Sequence, residues 1–181
     1  MLDWKKIWTK KGSVDSRDLR LLNGYENTTV NPEIVSSKIT QTLSIEKETK
    51  VLEVGCGAGM IAQFLKCNYV GIDYSTTLIE KHKSILNNEV YMCEASHLPF
   101  KDNSFDCVFA YSIFQYFTDI DYANSVVEEM RRVSKKRVFI GDLPVSSHEK
   151  SHLLYSKDMF SEFIITDGYY NFDRFNVLIN L

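Results

Sequence analysis

Nine residues, VLEVGCGAG at positions 51–59, constrain the fold of this chain more than any other stretch. Apart from Glu53, the first four are apolar and partly β-branched, which is typical of a strand buried on both faces. Three glycines follow at alternate positions: Gly55, Gly57 and Gly59. Such a turn lets a ligand lie against bare backbone, and apolar residues at helical spacing from Met60 to Leu65 predict that it opens into a helix whose free N–H groups face that ligand. The stretch therefore predicts a crevice for a nucleotide-type ligand.

Short apolar segments alternate with amphipathic ones from residue 49 onward. The predicted strands cover 51–54, 69–72, 89–93, 105–110 and 137–141. The predicted helices between them cover 60–66, 76–87 and 120–134. Alternating strands and helices of this length favour an α/β fold with a parallel sheet.

The pattern changes after Pro144. A helix is predicted near 152–163, and two strand-like segments, 164–170 and 172–180, follow it. The connection between these segments is too short for a helical crossover, so we expect the two strands to pair antiparallel.

The beginning of the chain differs from the rest. Two tryptophans recur at helical spacing among lysines, and Asn31 with Pro32 forms a typical helix start. With 181 residues, of which 44% are hydrophobic, the chain can bury one substantial core but is short for two ordinary domains. We therefore expect residues 1–48 to form a helical cap or lid on a single domain that covers 49–181.

Charge and cysteine usage limit the expected partners. The formal net charge is −3, which gives no general attraction to nucleic acid or to an anionic membrane surface. The four cysteines form no C-x-x-C pair and lie in or beside apolar stretches, as reduced core residues do. No apolar run reaches the length of a signal peptide or a spanning helix. We expect a cytoplasmic protein that binds neither membranes nor nucleic acid.

Spacing distinguishes among the glycine-rich motifs that bind nucleotides. A dinucleotide fingerprint that starts at Gly55 requires glycine where Met60 stands, and the Gly-Lys-Ser/Thr ending of a P-loop is absent. The pattern EVGCGAG instead resembles motif I of the class I S-adenosylmethionine-dependent methyltransferases. In that family the loop passes under the amino-acid part of the cofactor.

Three later segments strengthen the resemblance. GIDYS at 71–75 is similar to the end of the family's second strand, and CEASHLPF at 93–100 is similar to its "GDAxxLPF" segment. NSFDCVFAYSIFQYF at 103–117 resembles its "FDxVxxxxxLxHF" region. The resemblance implies a Rossmann-like fold, in which a doubly wound sheet of seven strands is mostly parallel with one antiparallel strand near the C-terminus.

The resemblance also implies which residues bind the cofactor. Asp73 corresponds to the acid that binds the ribose, and Glu94 to the acid that takes the adenine amino group. The implied set is Glu53, Gly55, Cys56, Gly57, Gly59, Asp73, Tyr74, Glu94, Ala95, Tyr111 and Gln115. Glu53 is equally suited to hydrogen-bond the N–H groups of the loop.

One motif points to different chemistry. HEKSH, from His148 to His152, matches the H-E-x-x-H pattern of zinc hydrolases, but the third histidine of the extended motif is missing, so we expect no metal site. The segment follows the fifth predicted strand, on the edge where ligands bind in such sheets, so either histidine is a candidate base. A solvated start of a helix is the non-functional alternative.

The implied function is an S-adenosylmethionine-dependent methyltransferase that acts on a small molecule or metabolite by SN2 transfer and releases S-adenosylhomocysteine. Trp4, Trp8 and Tyr25 are candidates for a lid over the acceptor. Two alternatives stay open: a non-catalytic cofactor-binding or scaffold protein of the same fold, and a zinc hydrolase through His148 and His152.

Overall fold

The computed structural model describes residues 3–147 and 149–181. Its strands are β1 (Lys50–Val54), β2 (Asn68–Asp73), β3 (Glu89–Met92), β4 (Phe105–Tyr111), β5 (Ser134–Pro144), β6 (Ile164–Asp167) and β7 (Arg174–Asn180). They form one seven-stranded sheet in the order β3-β2-β1-β4-β5-β7-β6. Neighbours pair in parallel except at β7, which runs antiparallel to β5 and β6. The predicted fold class is confirmed.

The α-helices of the described residues are α1 (Trp4–Gly12), α2 (Leu19–Leu22), α3 (Pro32–Leu43), α4 (Thr76–Leu86) and α5 (Ile120–Val133). Asn31 caps α3 as predicted, because its side chain accepts hydrogen bonds from the N–H groups of Glu33 and Ile34. Ser75 caps α4, because its side chain accepts a hydrogen bond from the N–H group of Leu78. No helix in this part of the chain is both long and apolar enough to cross a membrane.

Alternate residues of β1 pack toward opposite faces of the sheet. Val51 packs in one cluster with Val35 and Ile39 of α3. Leu52 packs in another cluster with Val126 and Met130 of α5. All of these side chains are fully buried, and each contributes roughly 1.5–3 kcal/mol of transfer free energy. Because both faces of β1 are covered, the residues of this strand that pack against the helices are apolar.

The winding of the chain reverses beside β1. From β1 the chain first moves outward to β2 and β3, and it then returns to place β4 and β5 on the other side. Ligands of open α/β sheets bind at such a switch point, outside the carboxyl ends of the strands. The glycine turn follows β1 directly and therefore lies at this position.

The prediction of a helix over 60–66 is wrong. A single 3-10 turn, Ala62–Phe64, forms there, and the backbone is extended again at Leu65. Gly59 has a φ of 98°, and the three residues after it are all buried. These apolar side chains therefore fill the core beside the turn instead of forming one face of a helix.

The helix predicted near 152–163 is also wrong, since only the 3-10 turn Lys157–Phe160 forms. The preceding backbone pairs with other elements: Leu153 N donates to Gln115 O, and Tyr155 N donates to the carbonyl at the end of β5, both at 2.9 Å. These bonds replace those of a helix. The last two strands are shorter than predicted, but their antiparallel pairing is confirmed.

Candidate active site

Two adjoining cavities lie at the carboxyl ends of the parallel strands. The large cavity has a volume of about 880 Å³ and the small cavity a volume of about 60 Å³. The residues that line both are Gly55, Asp73, Ile113 and Tyr116. They follow or end β1, β2 and β4, so the two cavities form one crevice at the switch point.

The glycine turn is a cradle that larger residues would fill. Gly55 and Gly57 have φ angles of 76° and 50°, a region in which residues with a Cβ atom are strained. A Cβ atom on Gly57 would lie 2.2 Å from Asn23 Oδ1, and one on Gly55 would lie 2.7 Å from the side chain of Ile113. The close approach of neighbouring groups therefore requires glycine at both positions.

The N–H groups of the turn are bound within the chain. Those of Gly55 and the next residue donate to Ile72 O at 2.8 and 2.9 Å. Gly57 N donates to Asp73 Oδ2 at 3.0 Å, and the following N–H donates to Asn23 Oδ1 at 3.1 Å. The expectation that free N–H groups of a following helix face a ligand is therefore wrong. The end of β2 and the N-terminal segment hold the turn instead.

Asp73 lies where the two cavities meet. Its side chain is largely buried, with Oδ1 accepting from Ser75 N at 2.8 Å and Oδ2 from Gly57 N. Burial raises the pKa of this carboxyl to about 6, although the backbone N–H donors lower it. Each carboxylate oxygen can accept more than one hydrogen bond, so the group can bind a ligand hydroxyl in addition to its backbone donors.

Glu53 lines the small cavity from β1 and is 4% exposed. Its Oε2 accepts a hydrogen bond from Tyr69 OH at 2.6 Å. Burial, together with the nearby Asp73 carboxylate, raises the pKa of Glu53 to about 8 despite this hydrogen bond. The carboxyl is therefore protonated at neutral pH, and its partner is a tyrosine hydroxyl rather than an N–H group of the loop.

Glu94, after β3, links elements on both sides of the large cavity. It forms an ion pair with Lys5 of α1 and accepts from Tyr122 OH of α5 at 3.1 Å. Tyr74 OH also donates to Trp4 O of α1, at 3.3 Å. The N-terminal helix is thus attached to the edge of the cavity at which β2 and β3 end.

Aromatic side chains form much of the wall of the large cavity. The ring of Trp4 lies 4.8 Å from that of Tyr116 and 5.1 Å from that of His152, measured between centroids. Phe117 and Tyr122 add a second pair, 5.1 Å apart. Rings from distant parts of the chain therefore enclose one largely apolar chamber.

His152 is the predicted candidate base that lines the large cavity. Its Nδ1 lies 2.6 Å from Ser147 Oγ, a contact that orients the imidazole. His152 N donates to Glu149 O at 3.1 Å, which closes a turn and not the helix of a zinc motif. His148 lies outside the described residues. Within 3–147 and 149–181, no group of three or more His, Cys, Asp or Glu side chains is placed to hold a metal ion.

A family model described as "Methyltransferase domain" matches residues 52–140, which run from β1 into β5 and include the glycine turn, Asp73 and Glu94. The chain belongs to the class I S-adenosylmethionine-dependent methyltransferases. S-adenosylmethionine is the cofactor of this family, so the predicted family and cofactor are confirmed.

Relatives of this methyltransferase domain have names that refer to different acceptors. The demethylmenaquinone methyltransferase of Thermotoga maritima is 31% identical over 116 residues, which are 59% of this chain and 49% of that protein. The probable tRNA methyltransferase 9B of Mus musculus is 30% identical over 118 residues, which are 60% of this chain and 26% of that protein. The chain thus spans about half of one relative and about a quarter of the other.

A solved methyltransferase shares the fold over nearly the whole chain. The magnesium protoporphyrin IX methyltransferase of Synechocystis PCC 6803, with bound S-adenosylmethionine, superposes with a TM-score of 0.70 over 99% of this chain and 98% of that chain. The two sequences are 14% identical. The fold therefore persists where most side chains differ.

The cofactor residues implied by the family resemblance fall into three groups. Around the small cavity are Glu53, Gly55, Cys56, Gly57, Asp73 and Tyr111. Around the large cavity are Gly55, Asp73, Tyr74 and Ala95. Gly59, Glu94 and Gln115 line neither cavity.

The residues of the third group contact other parts of the protein. A Cβ atom on Gly59 would lie 2.4 Å from Leu86, so this glycine faces α4. The side-chain amide of Gln115 is buried and donates to Ser112 O at 2.8 Å and to Ser112 Oγ at 3.1 Å. Glu94 reaches the large cavity through Lys5 and Tyr122, which line it. Cofactor-binding roles for all eleven residues of the implied set stay predictions.

Among the wall residues that were not predicted from the sequence are Asn23, Tyr116 and Tyr122. Asn23 is the C-cap of α2 and precedes glycine, a pair that indicates only a turn. Tyr122 lies in the first turn of the amphipathic helix α5, where it is indistinguishable from a packing residue. Tyr116 carried the one usable signal, because it lies in the segment 103–117 that resembles the family's region after the fourth strand.

Proposed function

We propose that this chain binds S-adenosylmethionine across the two cavities and transfers the methyl group to a small molecule held in the large one. The proposal rests on one observation: the two cavities form a continuous crevice, because Gly55 and Asp73 line both of them. A ligand that spans the crevice contacts motif I at one end and aromatic rings at the other. The volume of about 880 Å³ is at the upper end of ordinary ligand sites, roughly 300–1,000 Å³, which supports a second molecule beside the cofactor.

The residues of the crevice fit this cofactor. Asp73 is suited to the ribose hydroxyls, Ala95 to the edge of the adenine, and the glycine turn to the amino-acid end. The small cavity, about 60 Å³, has the space of roughly two water molecules. Binding of the amino-acid end therefore requires the side chain of Asn23 or Tyr25, which line this cavity with Trp8, to shift.

The bound sulfonium supplies a methyl group that is already reactive toward nucleophiles. The chain itself then has to align the acceptor and exclude water. The rings of Trp4, Tyr116 and Phe117 are placed to do both from the wall of the large cavity.

We assign residues 1–48 the role of a lid on the domain over 49–181. Within the described part of this segment, Trp4 Nε1 donates to Ser151 O at 3.4 Å, on the side of the cavity opposite Glu94. Contacts of α1 with Tyr74 and Glu94 hold the other side. A helix attached at both edges closes the chamber when bound and opens it when these few polar contacts break.

The acceptor that best suits the large cavity is flat and largely apolar. Among the described residues, Lys5 and Lys150 are the lysines or arginines that line it, and Lys5 is paired with Glu94. A polynucleotide would need a row of such cations for its phosphates. The name of the Thermotoga relative, which refers to demethylmenaquinone, supports this class, whereas the name of the mouse relative makes tRNA the competing acceptor.

His152 is our candidate catalytic base for an acceptor that loses a proton. An imidazole is the ordinary side chain for this role near neutral pH, and Ser147 orients the ring beside the aromatic wall. A hydroxyl or carbon acid would require such a base, whereas an unprotonated amine would not.

Binding and transfer are tested separately. Calorimetry should detect S-adenosylhomocysteine binding, and labelled methyl from S-adenosylmethionine should enter the small-molecule fraction of a cell extract rather than tRNA. No binding of S-adenosylhomocysteine would contradict the proposal as a whole. Label in tRNA alone would contradict the acceptor class, and binding without transfer to either pool would favour a non-catalytic binding protein.

A pair of histidine variants tests the base. His152→Gln should lower the rate of transfer about 100-fold and leave S-adenosylhomocysteine binding unchanged, since general bases contribute roughly 10²–10⁴-fold. His97→Gln is the matched control, because His97 is also paired with a serine, Ser96, but is exposed and lies outside both cavities. Equal rates in the two variants would exclude His152 as the base.

A further inference from the structure

Trp8 carries a buried donor that the protein does not satisfy. Its Nε1–H has no hydrogen-bond partner among the described residues and is shielded from solvent. The side chain lines the small cavity beside Gly57 and Tyr25. Because nearly all buried N–H groups in proteins are paired, an unpaired one at the wall of a cavity points to a ligand acceptor.

The surroundings of Trp8 hold the indole in place. One residue further along α1, Thr9 O accepts from Thr77 Oγ1 of α4 at 2.7 Å. The six-membered ring lies over Gly24, where a Cβ atom would come within 2.9 Å of it, and the indole meets the ring of Tyr116 edge-on at 5.2 Å. The side chain therefore cannot rotate to reach another acceptor without displacing its neighbours.

The small cavity is poor in positive charge. No lysine or arginine is among the described residues that line it, and both acids at its wall, Glu53 and Asp73, have raised pKa values. Arg20, in the nearby helix α2, donates instead to the carbonyl groups of Tyr25, Thr28 and Val30. An anion at the glycine turn would have to be bound by neutral donors.

Resting on the proposed function, we infer that Trp8 Nε1–H donates to the carboxylate at the amino-acid end of the cofactor. The glycine turn, beside which Trp8 lies, is the part of the crevice suited to that end. A hydrogen bond to a buried carboxylate is stronger than one between neutral groups. Helix α1 is then part of the cofactor site itself and not only a cover for the acceptor.

The test compares three ligands that differ at the carboxylate. Trp8→Phe keeps an aromatic ring and removes the N–H. We expect it to weaken S-adenosylhomocysteine binding about 10-fold, as loss of a hydrogen bond to a charged group does. Decarboxylated S-adenosylmethionine and methylthioadenosine, which both lack the carboxylate, should keep their wild-type Kd values in calorimetry.

Trp4→Phe is the matched control, because Trp4 lies on the same helix but donates to Ser151 O. It should change the three Kd values by equal factors. If Trp8→Phe does not fold, β-(3-benzothienyl)alanine is placed at position 8, because it keeps the shape of the indole and has sulfur in place of the N–H. We expect it to weaken binding of S-adenosylhomocysteine and to leave the Kd values of the other two ligands unchanged. An unchanged affinity of Trp8→Phe for S-adenosylhomocysteine, or an equal loss for all three ligands, would overturn this inference but not the proposed function. A wild-type protein that binds none of them would overturn the proposed function as well.

Discussion

The two cavities of the crevice are built in different ways. The small one lies on backbone that is bonded to the neighbouring strand and lined by the buried acids Glu53 and Asp73. The large one is enclosed by aromatic rings of α1, of the segment after β4 and of the segment after β5. Backbone geometry thus shapes the proposed cofactor end, whereas side chains on connecting segments shape the proposed acceptor end. Acceptor choice can therefore change without disturbance of the sheet.

The strongest test of this difference is Gly57→Ala. The new Cβ atom would lie 2.2 Å from Asn23 Oδ1 on backbone with a φ of 50°. We expect S-adenosylhomocysteine affinity to fall roughly 100-fold, about 2.7 kcal/mol of binding free energy, as measured by calorimetry. Adding Asn23→Ala removes the atom that clashes and should restore part of the affinity. Wild-type affinity in Gly57→Ala would show that backbone geometry does not control this end.

Asp73→Asn should have the next largest effect. An amide has one acceptor oxygen for two backbone N–H donors, so one donor loses its partner. We expect about a 30-fold weaker affinity for S-adenosylhomocysteine and a free energy of unfolding lowered by about 1–3 kcal/mol in urea titrations. Asp106→Asn is the control, because Asp106 also accepts from a backbone N–H, that of Lys50, but lies away from both cavities. Equal affinities in the two variants would contradict a ligand-binding role for Asp73.

The pH dependence of stability tests whether the Glu53 carboxyl in the wall of the small cavity is buried and protonated. Its pKa in the folded protein is about 8, above its ordinary value of 4.5, so the folded state holds a proton that the unfolded state has lost between these pH values. The free energy of unfolding should therefore fall as pH rises from 5 to 8, with at most about 1.4 kcal/mol per pH unit from this group. Glu53→Gln keeps an oxygen acceptor for Tyr69 and should reduce that slope in urea titrations. An unchanged slope would contradict burial of a protonated carboxyl.

Lys5→Met tests the lid and should have the smallest effect. Lys5 and Glu94 are 61% and 43% exposed, so their ion pair should contribute less than about 1 kcal/mol to stability. S-adenosylhomocysteine affinity should change less than about threefold. The control is Lys6→Met, because Lys6 pairs with Asp3 within the same segment. A tenfold loss of S-adenosylhomocysteine affinity in Lys5→Met but not in Lys6→Met would show that this ion pair contributes to cofactor binding.

Local patterns predicted the elements whose stability is local. The cap at Asn31, the apolar strand β1 and the antiparallel last strands follow from capping, burial and loop length, and all are present. The two wrong helix predictions have a common cause, because the backbone or side chains of these segments bond and pack with distant elements. Helical spacing over segments of seven and twelve residues does not outweigh such tertiary contacts.

The sequence by itself determined the family, the sheet and the position of the glycine turn, because these depend on short-range spacing within motif I and on alternating strands and helices. Only the tertiary structure decided what faces the turn. Asn23 and Trp8 reach it through packing of the N-terminal helices on α4, and Trp4 meets His152 from almost 150 residues away. No pattern within one segment encodes such contacts, since each segment alone has the character of an ordinary helix or turn.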